Sequence, residues 1–304
     1  MSYIHSFLYT IISTSAPIIL AALGGMLTRQ VGMFNIGLEG MMTIGAFFSV
    51  YFTDLTGSLL LGFLLGCACT ILMGLLMAFL SIRLKADIFV VGIAANIFGT
   101  GLATFLGLVL TGMQGTMLFM EAPALQNIHI PLIDKIPVTG DFLSGHTIID
   151  YLSIVLVFVI AFVLKRTRFG RHSKAVGINP VVARANSISV EGQRYVSYIL
   201  CGLLCGMAGA AMSLPIRMYT GGAIGMVNGR GWTAMAIVII SAGNPIVTLI
   251  ASWVLGGVSA IGNLLQTTGV FPPRLVMAFP FIAAVIATAI FSATKKEQDV
   301  AGGH

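Results

Sequence analysis

Five side chains stand out against an apolar background in this 304-residue sequence: Asn35, Glu39, Asn96, Asn228 and Trp232. Asn35 and Glu39 lie in Gly32-Met-Phe-Asn-Ile-Gly-Leu-Glu-Gly40, and Asn228 and Trp232 in Gly221-Gly-Ala-Ile-Gly-Met-Val-Asn-Gly-Arg-Gly-Trp232. Asn96 ends the run Val91-Gly-Ile-Ala-Ala-Asn96. Amides and a carboxylate supply hydrogen-bond donors and acceptors, and an indole supplies a stacking face, a set suited to holding a small polar solute. Bond-breaking chemistry has no such set, since no Ser/His or His/Asp/Glu constellation occurs within the apolar segments. His5, His129, His146, His172 and His304 never fall on one helical turn, and Cys67, Cys69, Cys201 and Cys205 form no Cys-x-x-Cys pair, so no metal site is expected. ATP hydrolysis is excluded for this chain by the usual phosphate cradle, because no Gly-x-x-x-x-Gly-Lys-Ser/Thr run exists and no Lys follows any Gly.

The elements that position these residues follow from composition. Hydrophobic residues make up 57% of the chain and charged residues 9%, with a mean hydropathy of +1.00, whereas soluble domains carry roughly 25% charged residues. A water-soluble fold is ruled out. Uncharged stretches at 2–28, 59–82, 88–120, 195–216, 231–273 and 275–294 are long enough to span a bilayer, and the stretch 231–273 holds two spans. Adding 30–53, interrupted by Glu39, and 147–164, entered by Asp150, predicts an all-α integral membrane protein of about nine transmembrane helices. The loops left over are too short for a soluble catalytic domain, which needs roughly 50 residues. The first span lacks a basic leader and a small-residue cleavage site, and is read as a retained helix.

Both glycine-rich runs break apolar segments in a medium where an unsatisfied backbone group costs several kcal/mol. In the first, Asn35 is expected to cap a half-helix that starts inside the membrane, with Glu39 near its positive end. A central acid costs about 2.5–3.5 kcal/mol on insertion scales, so such a residue usually faces a bundle interior or a wet path; an acid at the cytoplasmic lipid surface is the alternative. Met33-Phe-Asn35 and Met226-Val-Asn228 look alike, and the order span, break, span, span, span occurs over both 4–111 and 195–292. With the odd fifth span at 148–165 between them, the second copy is inverted, a transporter layout in which substrate binds near the repeat interface. Asn96 either bonds a neighbouring helix or lines a path.

Seven of the sixteen basic residues, Lys165, Arg166, Arg168, Arg171, Lys174, Arg184 and Arg194, share one loop (166–194 and its flank) with a single acid, Glu191. The positive-inside rule puts that loop in the cytoplasm. Counting outward puts Arg29, the Arg83/Lys85 turn and the tail 293–304 on the same side. The acidic loop 112–147 and the N-terminus then lie outside. Within the basic loop, Asn179 is placed to cap a short helix with Pro180 at its first position. That helix runs to about Asn186, too short to be stable alone. It docks on a partner protein or lies on lipid headgroups.

Four stretches together resemble the permease subunits of bacterial ABC importers of the ribose and branched-chain amino acid class: 22–42, 91–96, Ala175-Val-Gly-Ile-Asn-Pro180 and Gly229-Arg-Gly-Trp-Thr-Ala234. The Asn-Ile-Gly-Leu-Glu-Gly signature is most similar to the nucleoside (guanosine-type) and simple-sugar importers of that class. The resemblance implies a type II importer architecture and an ATP-driven, binding-protein-dependent transport subunit working by alternating access. It implies a coupling helix over 179–188 that docks on a separate ATPase, with Gly177, Asn179, Pro180, Ala183, Arg184 and Asn186 as its docking residues; Ser187 stands where the class usually has Gly. It further implies a second, related permease, an extracellular substrate-binding lipoprotein, and ATP and Mg used by the partner ATPase, with no cofactor bound by this chain. Asn35, Glu39, Asn96, Asn228 and Trp232 are then the expected substrate path, in the bacterial cytoplasmic membrane. An ion-gradient-driven carrier of a small polar solute is the alternative that the repeat layout also allows.

Overall fold

A computed structural model describes residues 2–128, 144–222 and 225–267. The chain is built from helices whose ends are set by local chemistry. Helix α1 (Ser2–Gln30) is followed by an irregular segment, 31–37, and by α2 (Leu38–Thr56). Ser58 caps α3 (Leu59–Ile82) by accepting from the Leu61 N–H, and Asp87 caps α4 (Ile88–Thr111) by accepting from the Phe89 and Val90 N–H groups. Helix α4 stops at Thr111, short of the end of the uncharged stretch 88–120, because Gly112 takes the left-handed conformation at φ 69° and turns the chain into strand β1 (Thr116–Leu118). A reciprocal capping box between Thr147 and Asp150 opens α5 (Ile148–Arg166).

Beyond α5 lie α6 (Arg168–Ile178), the short α7 (Pro180–Ala185), α8 (Val190–Ser213), α9 (Arg230–Ser241) and α10 (Pro245–Thr267). Strand β1 pairs antiparallel with β4 (Met218–Thr220), and β2 (Asn127–Ile128) with β3 (His146–Thr147). Among the described residues, six helices, α1, α3, α4, α5, α8 and α10, are long and apolar enough to cross a membrane. Helix α2 carries Glu39 and Asp54 and is instead buried along most of its length, so it is a core helix. Helix α9 has 12 residues, about 18 Å at 1.5 Å per residue, little more than half a bilayer core. The last span expected from the sequence, 275–294, lies outside the described residues.

Helix α8 is at the centre, packed on α1, α2 and α3. Exchanging α1, α2 and α3 for α8, α9 and α10 preserves the main packed pairs. The pairs α1–α8 and α2–α9 map onto themselves, α3–α8 onto α10–α1, α2–α8 onto α9–α1, and α2–α3 onto α9–α10. Close approach rests on small residues: a Cβ on Gly45 would lie 2.8 Å from the Gly206 Cα, so α2 and α8 touch backbone to backbone. The outward faces of α3, α4 and α5 expose Leu60, Leu72, Phe105 and Phe162, an apolar surface that water would not tolerate and lipid would.

The two ends of the bundle are chemically distinct. At one, Arg83 pairs with Glu191 at 3.7 Å, joining the α3–α4 turn to the start of α8, and Arg194 donates to the Val31 carbonyl at 3.4 Å. The end of α1 and the basic loop therefore lie together, as the charge count requires. At the other end the Asn127 amide donates to the Tyr9 hydroxyl at 3.3 Å, and Phe119 N–H donates to the Arg217 carbonyl at 2.9 Å. Helices α2 and α4 meet at Gly40, where an added Cβ would lie 2.7 Å from the Asn96 Cα. Gly40→Ala is expected to push the two helices apart and to cost about 1–3 kcal/mol, seen as a lower thermal unfolding midpoint of the purified protein in detergent.

Candidate functional site

The first turn of α2 and the first turn of α9 face each other at the centre of the molecule. Glu39 spans the gap: its Oε1 accepts from the Gly229 N–H and its Oε2 from the Gly231 N–H, both at 2.7 Å. These donors belong to the start of α9, where the helix dipole leaves partial positive charge. The approach is so close that a Cβ on Gly231 would lie 2.5 Å from the Glu39 Cα, and Gly229, at φ 81°, needs the left-handed conformation. Two charge-assisted bonds are worth roughly 1.5–3 kcal/mol each, which offsets the insertion cost of a central carboxylate of about 2.5–3.5 kcal/mol. The other end of α9 is held as well. Arg29 donates through Nη1 to the Val238 and Ile239 carbonyls, where the dipole is negative, and Gln30 Nε2 donates to the Gly243 carbonyl at 3.3 Å. Because Arg29 and Glu39 touch opposite ends of α9, the segment between them climbs the length of that helix, about 18 Å.

That climb needs its backbone satisfied inside the bundle, and two asparagines do this. Asn96 Oδ1 accepts from the Gly40 N–H at 2.8 Å, and its Nδ2 donates to the Ile36 carbonyl at 3.0 Å. Asn96 thus ties α4 to the break while also lining a cavity. Asn35 is 2% exposed; its Oδ1 accepts from the Gly37 N–H at 2.8 Å, and its amide nitrogen lies 3.4 Å from the Met41 and Cys201 sulfurs. The sequence predicts Asn35 as the helix cap, but α2 starts at Leu38 with Gly37 at the cap position, so Asn35 secures the turn before the helix and points away from the cavity. Asn228, its expected counterpart, is exposed at φ 45°. The two look-alike asparagines therefore do different work.

A cavity of about 550 Å³ lies beside this junction, lined by Glu39, Thr43, Asn96, Thr100, Tyr219, Asn228 and Trp232 among others. Four of the five expected path residues meet there; Asn35 does not. Thr43 and Thr100 escaped the sequence reading although each stands four residues, one helical turn, after Glu39 and Asn96, a spacing that would have found them. Tyr219 arrives on β4 and carried no local signal. The rim is open: Ile97 is 71% and Trp232 39% exposed. Asn96, Ile97, Thr100 and Gly101 fall in the middle third of α4, so this polar opening sits at mid-depth of a helix about 36 Å long.

At the basic end, Asn179 Oδ1 accepts from the Val181 and Val182 N–H groups at 3.0 and 3.1 Å, with Pro180 first in α7, as the sequence predicts. Asn186 closes the helix, its amide donating to the Val182 carbonyl at 2.9 Å. Arg184 is exposed and Ala183 is buried, so of the expected docking residues Ala183 faces inward. Val181 and Val182, at 74% and 55%, give the helix an exposed apolar face, continued by Ile178 at the end of α6. Ser187 takes φ 58°, a left-handed conformation in which a glycine would be unstrained.

The profile of the family described as the permease component of the branched-chain amino acid transport system matches residues 7–288. The chain belongs to this permease family. The permease is 33% identical to the guanosine ABC transporter permease protein of Bacillus subtilis, over 90% of its own length and 88% of that relative's. It is 31% identical to the nucleoside ABC transporter permease protein of Lactococcus lactis subsp. cremoris, over 91% and 89% of the two chains. A Haloferax volcanii protein provisionally named as a glucose ABC transporter permease is 32% identical, over 86% of this chain and 78% of its own. No solved structure matches the chain. The permease is thus a transport component and a multi-pass membrane protein. Replacing Asn96 by Leu leaves the Gly40 N–H and the Ile36 carbonyl unpaired, and is expected to cost about 1–3 kcal/mol for each group. Glu39→Gln, which can accept on one atom only, is expected to lose one of the two bonds to α9; for both variants the thermal midpoint in detergent is the measurement.

Proposed function

We propose that the permease is the membrane subunit of an ATP-driven, binding-protein-dependent importer, and that the cavity beside Glu39 is its path for a nucleoside or a simple sugar. The cavity carries this assignment: about 550 Å³ suits a small polar solute, within the roughly 300–1,000 Å³ of ligand sites. Its amides, hydroxyls and exposed indole offer hydrogen bonds to ribose hydroxyls or a base edge, and a face for stacking. The names of the guanosine, nucleoside and glucose relatives favour the same solutes. Glu39 holds the wall, with both oxygens on α9, and Asn96, Asn228 and Trp232 touch the solute.

A polar opening at mid-depth cannot face hydrocarbon. It calls for a second, related permease against α4 and Trp232, with the path between the two subunits. The proposed permease has nine spans in two inverted repeats, 4–111 and 195–292; the exchange of α1, α2 and α3 with α8, α9 and α10 favours the repeat itself. The clustering of Arg29, Arg83 and the basic loop at one end supports a cytoplasmic face there, with the N-terminus outside. The exposed apolar face of α7 suits a separate ATPase, which supplies ATP and Mg chemistry, and the loop 112–147 suits an extracellular binding protein. Alternating access then turns the cavity from one side to the other.

Reconstitution in liposomes with the ATPase and binding protein tests this. Uptake of labelled guanosine or glucose is expected with ATP, and Trp232→Ala is expected to reduce it more than Trp232→Phe. Uptake by the permease alone under a sodium or proton gradient would instead assign it to the ion-driven carriers. Arg184→Ala, or substitution beside Asn179, is expected to leave insertion and ATP turnover intact while uptake falls; unchanged uptake per ATP would mean that α7 rests on lipid.

A further inference from the structure

The segment carrying α7 is joined to the cavity through contacts that meet at Arg29 and Gln30. Gly177, two residues before the α7 cap, presses on the end of α1 so tightly that a Cβ there would collide with the Gln30 carbonyl oxygen and lie 3.0 Å from its carbon. The next link is Arg29, whose guanidinium holds the last turn of α9, with Gln30 holding Gly243 beyond it. Helix α9 is a strut of 12 residues with no internal glycine after its first turn. Its far end is gripped by Glu39 in the cavity wall. A push on α7 therefore reaches Gln30 through Gly177, passes through Arg29 into the axis of α9, and arrives at Gly229 and Gly231.

We propose that Arg29 is a positioning residue that transmits movement of the α6–α7 segment along α9 to the cavity wall. Its charge suits the task twice over, since the end of a helix attracts a cation and a guanidinium can hold two carbonyls at once. This inference rests on the importer function proposed above. Gly177 acts on the other side of the same joint.

The test uses the complete reconstituted importer and reads three quantities: ATPase retained on purification, ATP turnover, and solute taken up per ATP. Arg29→Met is expected to keep the first two and to lower uptake per ATP about tenfold, within the usual span of coupling between sites. Arg29→Lys, which restores the charge and one bond, is expected to recover part of that loss. If the wild-type complex imports on ATP while Arg29→Met leaves uptake per ATP unchanged, the transmission role is wrong and the importer function stands. Loss of the ATPase on purification in step with uptake would reduce Arg29 to a folding contact and also sink the inference. A wild-type complex that never imports on ATP removes both.

Discussion

Two helices begin midway along the bundle, pointing their positive ends at one another, and a single carboxylate lies between them. Glu39 belongs to the first turn of α2 and bonds the first turn of α9, so one charge satisfies the dipole of its own helix and the free N–H groups of the other. Without it, two like partial charges and several unpaired donors would meet at low dielectric, where each costs kcal/mol rather than tenths. The glycines around it are the geometric condition for that bond. Gly231 has no room for a side chain against Glu39, and Gly229 sits at a positive φ that other residues resist.

From this junction the architecture follows outward. Because α9 starts at mid-depth and is short, Arg29 can reach its other end from α1, and the chain after Arg29 must rise again to deliver Glu39. That rise is irregular backbone, hence the need for Asn35 and Asn96 as fixed amide partners. Among the described residues, the space left where these two helices start becomes the cavity. Strand β4 closes one side of it and is held by β1, so the loop after α4 is tied to the cavity wall.

How much of this could be read from the residues depended on whether the signal was local. Spans α1, α3, α4 and α8 declared themselves by uninterrupted apolar length, and Asn179-Pro180 marked the start of α7 by the chemistry of helix capping. Glu39 was legible as a buried acid at a helix start, but its bonds to Gly229 and Gly231 were not, since they join residues about 190 positions apart. Asn35 misled for a related reason: an amide before a helix usually caps it, whereas here the turn tightens two residues later and Gly37 takes the cap. The uncharged stretch 88–120 runs past the end of α4, which is set by a left-handed glycine, Gly112, that hydropathy does not weigh. Tyr219 was invisible because a three-residue strand has no periodicity.

The shortness of α9 also bears on biogenesis. Twelve residues, with Arg230 at the front, make a poor substrate for release into lipid during synthesis. The amino-terminal helices leave the ribosome earlier and bring both Arg29 and Glu39 with them, one for each tip of the short rod. The rod can thus be received into a socket already inserted, and the order of translation supplies what its own apolar length does not.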